Sequence, residues 1–385
     1  MMNKDAIQGI KDSKHRDSHP YWLWESIQRI PQLLSECLSE DVKDRAQHLA
    51  DQFEARNIDR ILLVGTGSSY FSTIAEKHVF ESITGIQTGS YLANELLAYP
   101  PLEINARTVA FFHSHSGSTM GDPEVVEFVK SKGGYTIGVT DLAGSQLAQC
   151  VDDVFIGPGG PKLELPASRT YATGLFRMLM LAAAIARVKG RAAAAAEIQG
   201  QIDQFPPIAQ AILDQYEKLA PEIVQKASDI TSFFVIAAGP NYATADEAAL
   251  GLSQSAGVPS QAFQVENFIH GPMQTLEPTM GVVSVAAPGP LQSRVLEVAA
   301  AVKMVGSKSI LLAPQGTPAT GADVRIEIPG SVSEYLSPIA YMIPLWQVAY
   351  HFALLGRGGH PDKLAMERPG FKEAMLYLTH QSQGK

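Results

Sequence analysis

The chain has 385 residues, 45% of them apolar and 18% charged, and a formal net charge of −9. That length holds two domains with their own apolar cores, and the scattered glycines and prolines exclude a disordered or fibrous protein. The acidic balance without a long Lys/Arg run argues against a nucleic-acid surface, which needs clustered cations, and two cysteines, Cys37 and Cys150, are too few for a disulfide framework and fit a reducing, cytoplasmic compartment.

In chain order, Met1 to His19 is polar and lacks the apolar stretch of a signal peptide. Tyr21 to Asn57 reads as helix, with Trp22, Trp24 and Ile27 on its packing face. Four short β-rich runs follow, near residues 61–64, 108–112, 136–139 and 154–156, separated by segments long enough for helices. The apolar stretch Leu175 to Ala186 is interrupted by Arg177 and is too short to span a membrane, and Arg191 to Ile230 reads as a helical linker.

Beyond the linker the first half returns at a constant offset of 172 residues. Ile61 to Val64, Gly67 and Tyr70 return as Phe233 to Ala237, Gly239 and Tyr242. Thr108 to Phe112 maps to Met280 to Ser284, Gly117 to Gly289 and Gly134 to Gly306, while Val154 and Ile156 map to Ile326 and Ile328. Ser337 to Gly356 carries no formal charge, but Pro344, Gln347 and His351 mark a helix buried in protein, so no membrane segment is expected. Strands alternating with helical crossovers predict an α/β protein of two three-layer α/β/α sandwiches, each with a parallel, flavodoxin-like sheet. The expected division is a helical lead-in at 1–45, a first domain at 46–200, a second at 201–360 and a tail at 361–385.

Ligands of open parallel sheets sit at the carboxyl ends of the strands. After the first strand comes Gly65-Thr66-Gly67-Ser68-Ser69, and after the second Ser114-His115-Ser116-Gly117-Ser118-Thr119, followed by Asp122 and Glu124 in a first helical turn. Hydroxyls and N–H groups at a helix N-terminus hold an anion without needing a cation, and phosphate is the natural guest. Each Ser or Thr alone also suits a helix N-cap. At the same offset, however, the second half has Ala286-Ala287-Pro288-Gly289, which discards every hydroxyl. One half is thus expected to bind the anion. The Gly-Lys-Ser/Thr of a nucleotide P-loop and the third glycine of a dinucleotide fingerprint are both missing. His113 and His115 alternate along a strand end with no carboxylate or thiol nearby in sequence, so neither metal nor other cofactor is expected.

Gly67-Ser68-Ser69, the segment 114–119 and Pro166-Ala167-Ser168-Arg169-Thr170-Tyr171 resemble the phosphosugar-binding segments of tandem sugar-isomerase (SIS) proteins. Glu247 to Gln254 and Asn267-Phe268-Ile269-His270-Gly271-Pro272 resemble the catalytic segments of their second SIS domain. The family includes the isomerase part of glucosamine-6-phosphate synthase, glucosamine-6-phosphate deaminases and fructosyl-amino-acid 6-phosphate deglycases. The resemblance implies that Gly67, Ser68, Ser69, Ser114, His115, Ser116 and Thr119 form the phosphate site, that Ser168 meets a sugar hydroxyl, and that His270 opens the sugar ring across a dimer interface. The family's proton-shuttling glutamate lies sixteen residues before that histidine, where this chain has Gln254, and an amide cannot accept that proton. Glu266, beside the His270 loop, is the expected replacement base, and Glu247 is the other candidate. The tail from Gly359 to Lys372 resembles a closing loop, with Lys372 or Lys363 as the lysine reaching an open-chain sugar oxygen.

With no glutaminase segment or DNA-binding extension ahead of the repeat, the expectation is release of an amine from an amino-sugar or Amadori-product 6-phosphate by a homodimer or higher homo-oligomer. The alternatives are an aldose–ketose phosphosugar isomerase and a non-catalytic phosphosugar sensor.

Overall fold

The computed structural model describes residues 16–119, 122–318, 321–356, 359–363 and 369–381. Three helices open it, α1 (Trp22–Gln28), α2 (Ile30–Cys37) and α3 (Glu40–Ala55). The continuous helix expected from Tyr21 to Asn57 is interrupted between them, and Pro31 sits in the first turn of α2, where its missing N–H is harmless. Next come β1 (Arg60–Gly65), α4 (Ser68–Thr84), β2 (Gln87–Leu92), α5 (Ala93–Ala98), β3 (Thr108–His113), α6 (Asp122–Ser131), β4 (Tyr135–Thr140), α7 (Gln146–Cys150), β5 (Asp153–Ile156) and α8 (Arg169–Val188). The 35-residue α9 (Ala192–Lys226) fills most of the expected linker.

The second series is β6 (Ser232–Ala237), α10 (Tyr242–Ala256), β7 (Ser260–Gln264), α11 (Val265–Ile269), β8 (Met280–Val285), α12 (Gln292–Val305), β9 (Lys308–Pro314), β10 (Val324–Ile328), α13 (Ser337–Ala340), α14 (Met342–Ala353) and α15 (Pro369–Gln381). By its internal contacts the chain forms two units. The first takes Gln32–Gln199 with the described residues up to Leu23 and from Asp362 onward, and the second takes Trp24–Pro31 and Gly200–Pro361.

In the first unit the sheet runs β2-β1-β3-β4-β5, every adjacent pair parallel. All six residues of β3 are buried. Phe111 on one face lies beside Phe53 of α3 and Phe80 of α4, with ring centroids 6.2 and 6.1 Å away. On the other face Leu62, Val64, Ala110 and Phe112 pack with Val125, Val126 and Val129 of α6. These are the two apolar interfaces of a three-layer sandwich. The apolar stretch expected to be too short to span belongs to a helix of 20 residues, α8, which is long and apolar enough to cross a membrane. Its most apolar window is 83% buried inside the protein, and it packs on α3 and α4 as a core helix.

The second unit repeats this order as β10-β9-β8-β6-β7, again parallel throughout. β6 and β8 begin and end 172 residues after β1 and β3. The sequence reading assigned four strands to each half, whereas each sheet has five. The additional ones, β2 and β7, are edge strands. Each is flanked by one neighbour and half exposed, so neither carries the apolar run by which the inner strands are recognised.

Candidate functional site

In both sheets the strand order reverses between the two halves of the winding, and a crevice opens where the loops leave the carboxyl ends of the strands. In the first unit these strands are β1 and β3. They run parallel with Val64 opposite Phe112, so the loop after Gly65 and the loop after His113 emerge side by side.

The first loop turns tightly. A Cβ on Gly65 would lie 2.6 Å from the Ser69 backbone, and Gly67 has φ of 59°, a left-handed conformation that glycine adopts without strain. Gly67 precedes α4, so Ser68 and Ser69 are its first two residues. Their N–H groups belong to the set that a helix leaves without an internal acceptor.

The second loop is organised by its hydroxyls. Ser114 Oγ lies 2.8 Å from Thr119 Oγ1, and Ser118 Oγ donates to Ser116 Oγ over 2.9 Å. The Gly117 N–H donates to the Ser114 carbonyl at 3.0 Å, closing a turn in which Gly117 has φ of 57°. A Cβ there would collide with the Ser145 side chain. Asp122, at the start of α6, is buried, and its Oδ2 lacks a hydrogen-bond partner. Burial pushes its carboxyl up to about 7 against the hydroxyls of Ser114 and Thr119, which pull it down. The native chain therefore holds a proton that the unfolded chain, with an Asp pKa near 3.9, has released. That contribution to stability is present below about pH 4 and is lost as pH rises through 7. Asp122→Asn should raise the Tm at pH 8 and change it little at pH 4, as thermal unfolding at the two pH values would show.

His115 reaches back from this loop. Its Nδ1 lies 2.8 Å from Asp141 Oδ2, and Asp141 Oδ1 accepts from Arg177 Nη2 at 2.9 Å. Arg177 also donates to the Phe155 carbonyl at 2.5 Å and the Thr173 carbonyl at 3.2 Å, so α8 clamps the ends of β4 and β5 from within. Burial would raise the Asp141 carboxyl, but Arg177 and the His115 hydrogen bond outweigh it and hold it below the usual range. Burial lowers His115, opposed by its bond to Asp141. The neighbouring His113 has its own carboxylate, with Nε2 3.1 Å from Glu76 Oε2 in the interior. Ser168, ahead of α8, is fully buried, and its Oγ has no hydrogen-bond partner among the described residues. Arg169 beside it donates to the Gly159 carbonyl and, over 2.9 Å, to that of Pro161.

The corresponding place in the second unit has the opposite character. The loop 286–289 offers no side-chain hydroxyl, and a Cβ on Gly289 would fall 2.3 Å from Glu334 Oε1. The same oxygen lies 3.5 Å from a Cβ on Gly239, the counterpart of Gly67. A carboxylate, raised above its usual range by burial, thus stands beside the glycines at which the first unit presents hydroxyls and N–H groups.

The remaining candidates are dispersed. Glu247 is buried on α10, and Gln254 lies half-buried two turns further along the same helix. Glu266 is exposed and paired with Arg294 through both oxygens, at 2.6 and 3.3 Å, and that pairing holds its carboxyl below the usual range. His270 is exposed at the end of α11, directly before Gly271. Lys372 is exposed on α15 in the first unit, and Lys363 is half-buried; of the expected closing tail, residues 364–368 and 382–385 lie outside the described residues. Sequence reading missed Asp141, Glu76 and Glu334, which only the fold brings to these loops. It also passed over Asp246, on α10 beside Glu247, whose carboxyl burial pushes up to about 7. The constant offset marks Gly239 and Gly289 as the counterparts of Gly67 and Gly117, but it gives no signal for Glu334 itself.

Comparison with known proteins bears on the fold. Residues 55–185 match the SIS domain model. The glutamine–fructose-6-phosphate aminotransferase (isomerizing) of Pyrococcus horikoshii is 27% identical over 357 residues, which cover 93% of this chain and 58% of that relative. The C-terminal domain of glucosamine-fructose-6-phosphate aminotransferase from Francisella tularensis superposes with a TM-score of 0.82 at 19% identity, over 90% of this chain and 99% of that one. Glucosamine-6-phosphate deaminase from Thermotoga maritima does so with a TM-score of 0.66 at 19% identity, over 89% and 97%. The chain spans a little over half the length of the curated relative, and the structural likenesses establish the fold. Residues 55–185 thus match an SIS domain, and a second five-stranded unit of the same strand order follows them.

Proposed function

We propose that the chain binds a phosphorylated sugar at the Ser68–Ser69 and Ser114–Thr119 loops and releases an amine from an amino-sugar or Amadori-product 6-phosphate. The observation that carries this reading is the contrast between the two homologous crevices. One gathers hydroxyls and helix N-terminal N–H groups where the other has alanines and the Glu334 carboxylate. A phosphoryl group is favoured by the first and repelled by the second. Ser168, with its buried hydroxyl, is assigned to a sugar oxygen.

In this reading His270 transfers the protons that open the ring, the acid–base role that histidine most often takes in catalysis. A carboxylate takes the C1 proton of the open-chain ketose and C2 is protonated, so the C2 carbonyl becomes a hydroxyl and a C1=N bond forms. Water adds to that bond, and the amine leaves with the hexose 6-phosphate as the other product. Gln254 cannot be the base. Glu247 is assigned that role ahead of Glu266, whose oxygens are both held by Arg294. Lys372 or Lys363 contacts the open-chain oxygen, and the active form is assigned as a homodimer.

Incubation with fructosamine 6-phosphates in deuterated water tests the proposal. Deuterium at C1 or C2 with release of free amine supports it. Exchange without amine release points to an aldose–ketose isomerase, which the isomerizing relatives favour as the second reading. Tight binding with neither exchange nor release would make the chain a sensor.

A further inference from the structure

We propose that a sugar phosphate entering the first-unit cradle places a proton on His115, and that Asp141, anchored by Arg177, is the positioning residue that makes this possible. The inference rests on the reading of residues 114–119 as the phosphate site and adds a regulation of that site by pH.

Nδ1 of His115 is engaged by Asp141 at 2.8 Å, and a carboxylate can only accept, so Nδ1 carries the hydrogen. Neutral His115 therefore has a lone pair on Nε2, and that atom is assigned to the ligand. A phosphate ester above pH 7 has passed its second pKa, near 6, and is a dianion with acceptors only. Facing each other, Nε2 and a phosphate oxygen repel unless a proton comes between them. Taking that proton from solvent makes an imidazolium and converts the repulsion into a charge-assisted hydrogen bond.

The surroundings are arranged for that event. In the protein alone, the groups facing His115 balance one another. Asp141 at the end of β4 favours the cation; Lys162 and Arg169 oppose it, and burial opposes it most. Glu164, 3.8 Å from Arg169, and Asp122, beside Ser114 and Thr119, are further acidic groups among the described residues. Arg177 fixes Asp141 as an anion of one orientation, because its guanidinium is 2% exposed and holds Oδ1 at 2.9 Å. An incoming ester group whose oxygens can only accept tips this balance, and its negative charge adds to the effect. The cradle is thus neutral at His115 before binding and cationic there after it.

Isothermal titration calorimetry at pH 8 in buffers of differing ionisation enthalpy, with glucose 6-phosphate and glucose 6-sulfate as probes, reads the proton directly. The sulfate ester has no titratable proton in this range. Wild type should take up close to one proton per site with both probes, and its affinity should fall about tenfold for each pH unit above neutrality. His115→Gln, whose amide donates without titrating, should bind with no uptake, and Asp141→Asn should show reduced uptake. Should loss of the Asp141 charge beside Arg177 prevent folding, the His115→Gln arm decides alone. Binding by wild type without proton uptake would overturn the proposal, as would uptake that persists in His115→Gln or occurs only with the phosphate ester. Failure of wild type to bind either probe would overturn the cradle reading itself, and this inference with it.

Discussion

Replacing Ser116 and Thr119 together by alanine is expected to weaken binding of a hexose 6-phosphate by about a hundredfold or more, since a hydrogen bond to a charged group contributes about 1.5–3 kcal/mol. The two substitutions break both hydroxyl pairs of the second loop, Ser114 with Thr119 and Ser116 with Ser118. Neither side chain lies in the apolar core, so the variant should fold. Equilibrium binding beside thermal unfolding separates the effects, and unchanged affinity in a folded variant would remove these hydroxyls from the site.

His270→Ala should lower kcat by about 10²–10⁴-fold, the range supplied by a positioned acid–base group, with a much smaller change in KM. His270 is exposed at the end of a short helix, and surface substitutions of this kind usually change stability by about 0.5 kcal/mol or less. A loss of activity therefore cannot be ascribed to unfolding. Wild-type turnover in this variant would exclude His270 from the chemistry.

The two predictions draw on parts of the molecule that the sequence disclosed to different degrees. The repeat was legible because inner strands of a parallel sheet must be apolar on both faces, and the runs at 61–64 and 233–237 therefore stand out at one spacing. Two of the four edge strands were not, since Gln87–Leu92 and Ser260–Gln264 meet one neighbour each and are largely polar. The hydroxyl loops were legible because a loop and the helix that follows it form a local unit.

What stands behind those loops was hidden by sequence distance. Asp141 lies 26 residues from His115, and Arg177 a further 36 along the chain. Arg177 registered only as an interruption of an apolar stretch, although it closes the chain of charge from α8 to the cradle. Glu334 was hidden for the same reason. Its place beside Gly239 and Gly289 depends on the fold of the whole second unit, and no spacing rule connects them.

Diffraction from crystals soaked in a hexose 6-phosphate probes the asymmetry of the two crevices with the fewest intervening assumptions. Phosphate density within hydrogen-bonding distance of Ser116 and Thr119, with none at residues 286–289, is the predicted result. A phosphoryl group seated beside Gly289 and Glu334, with residues 114–119 making no contact to it, would contradict the account.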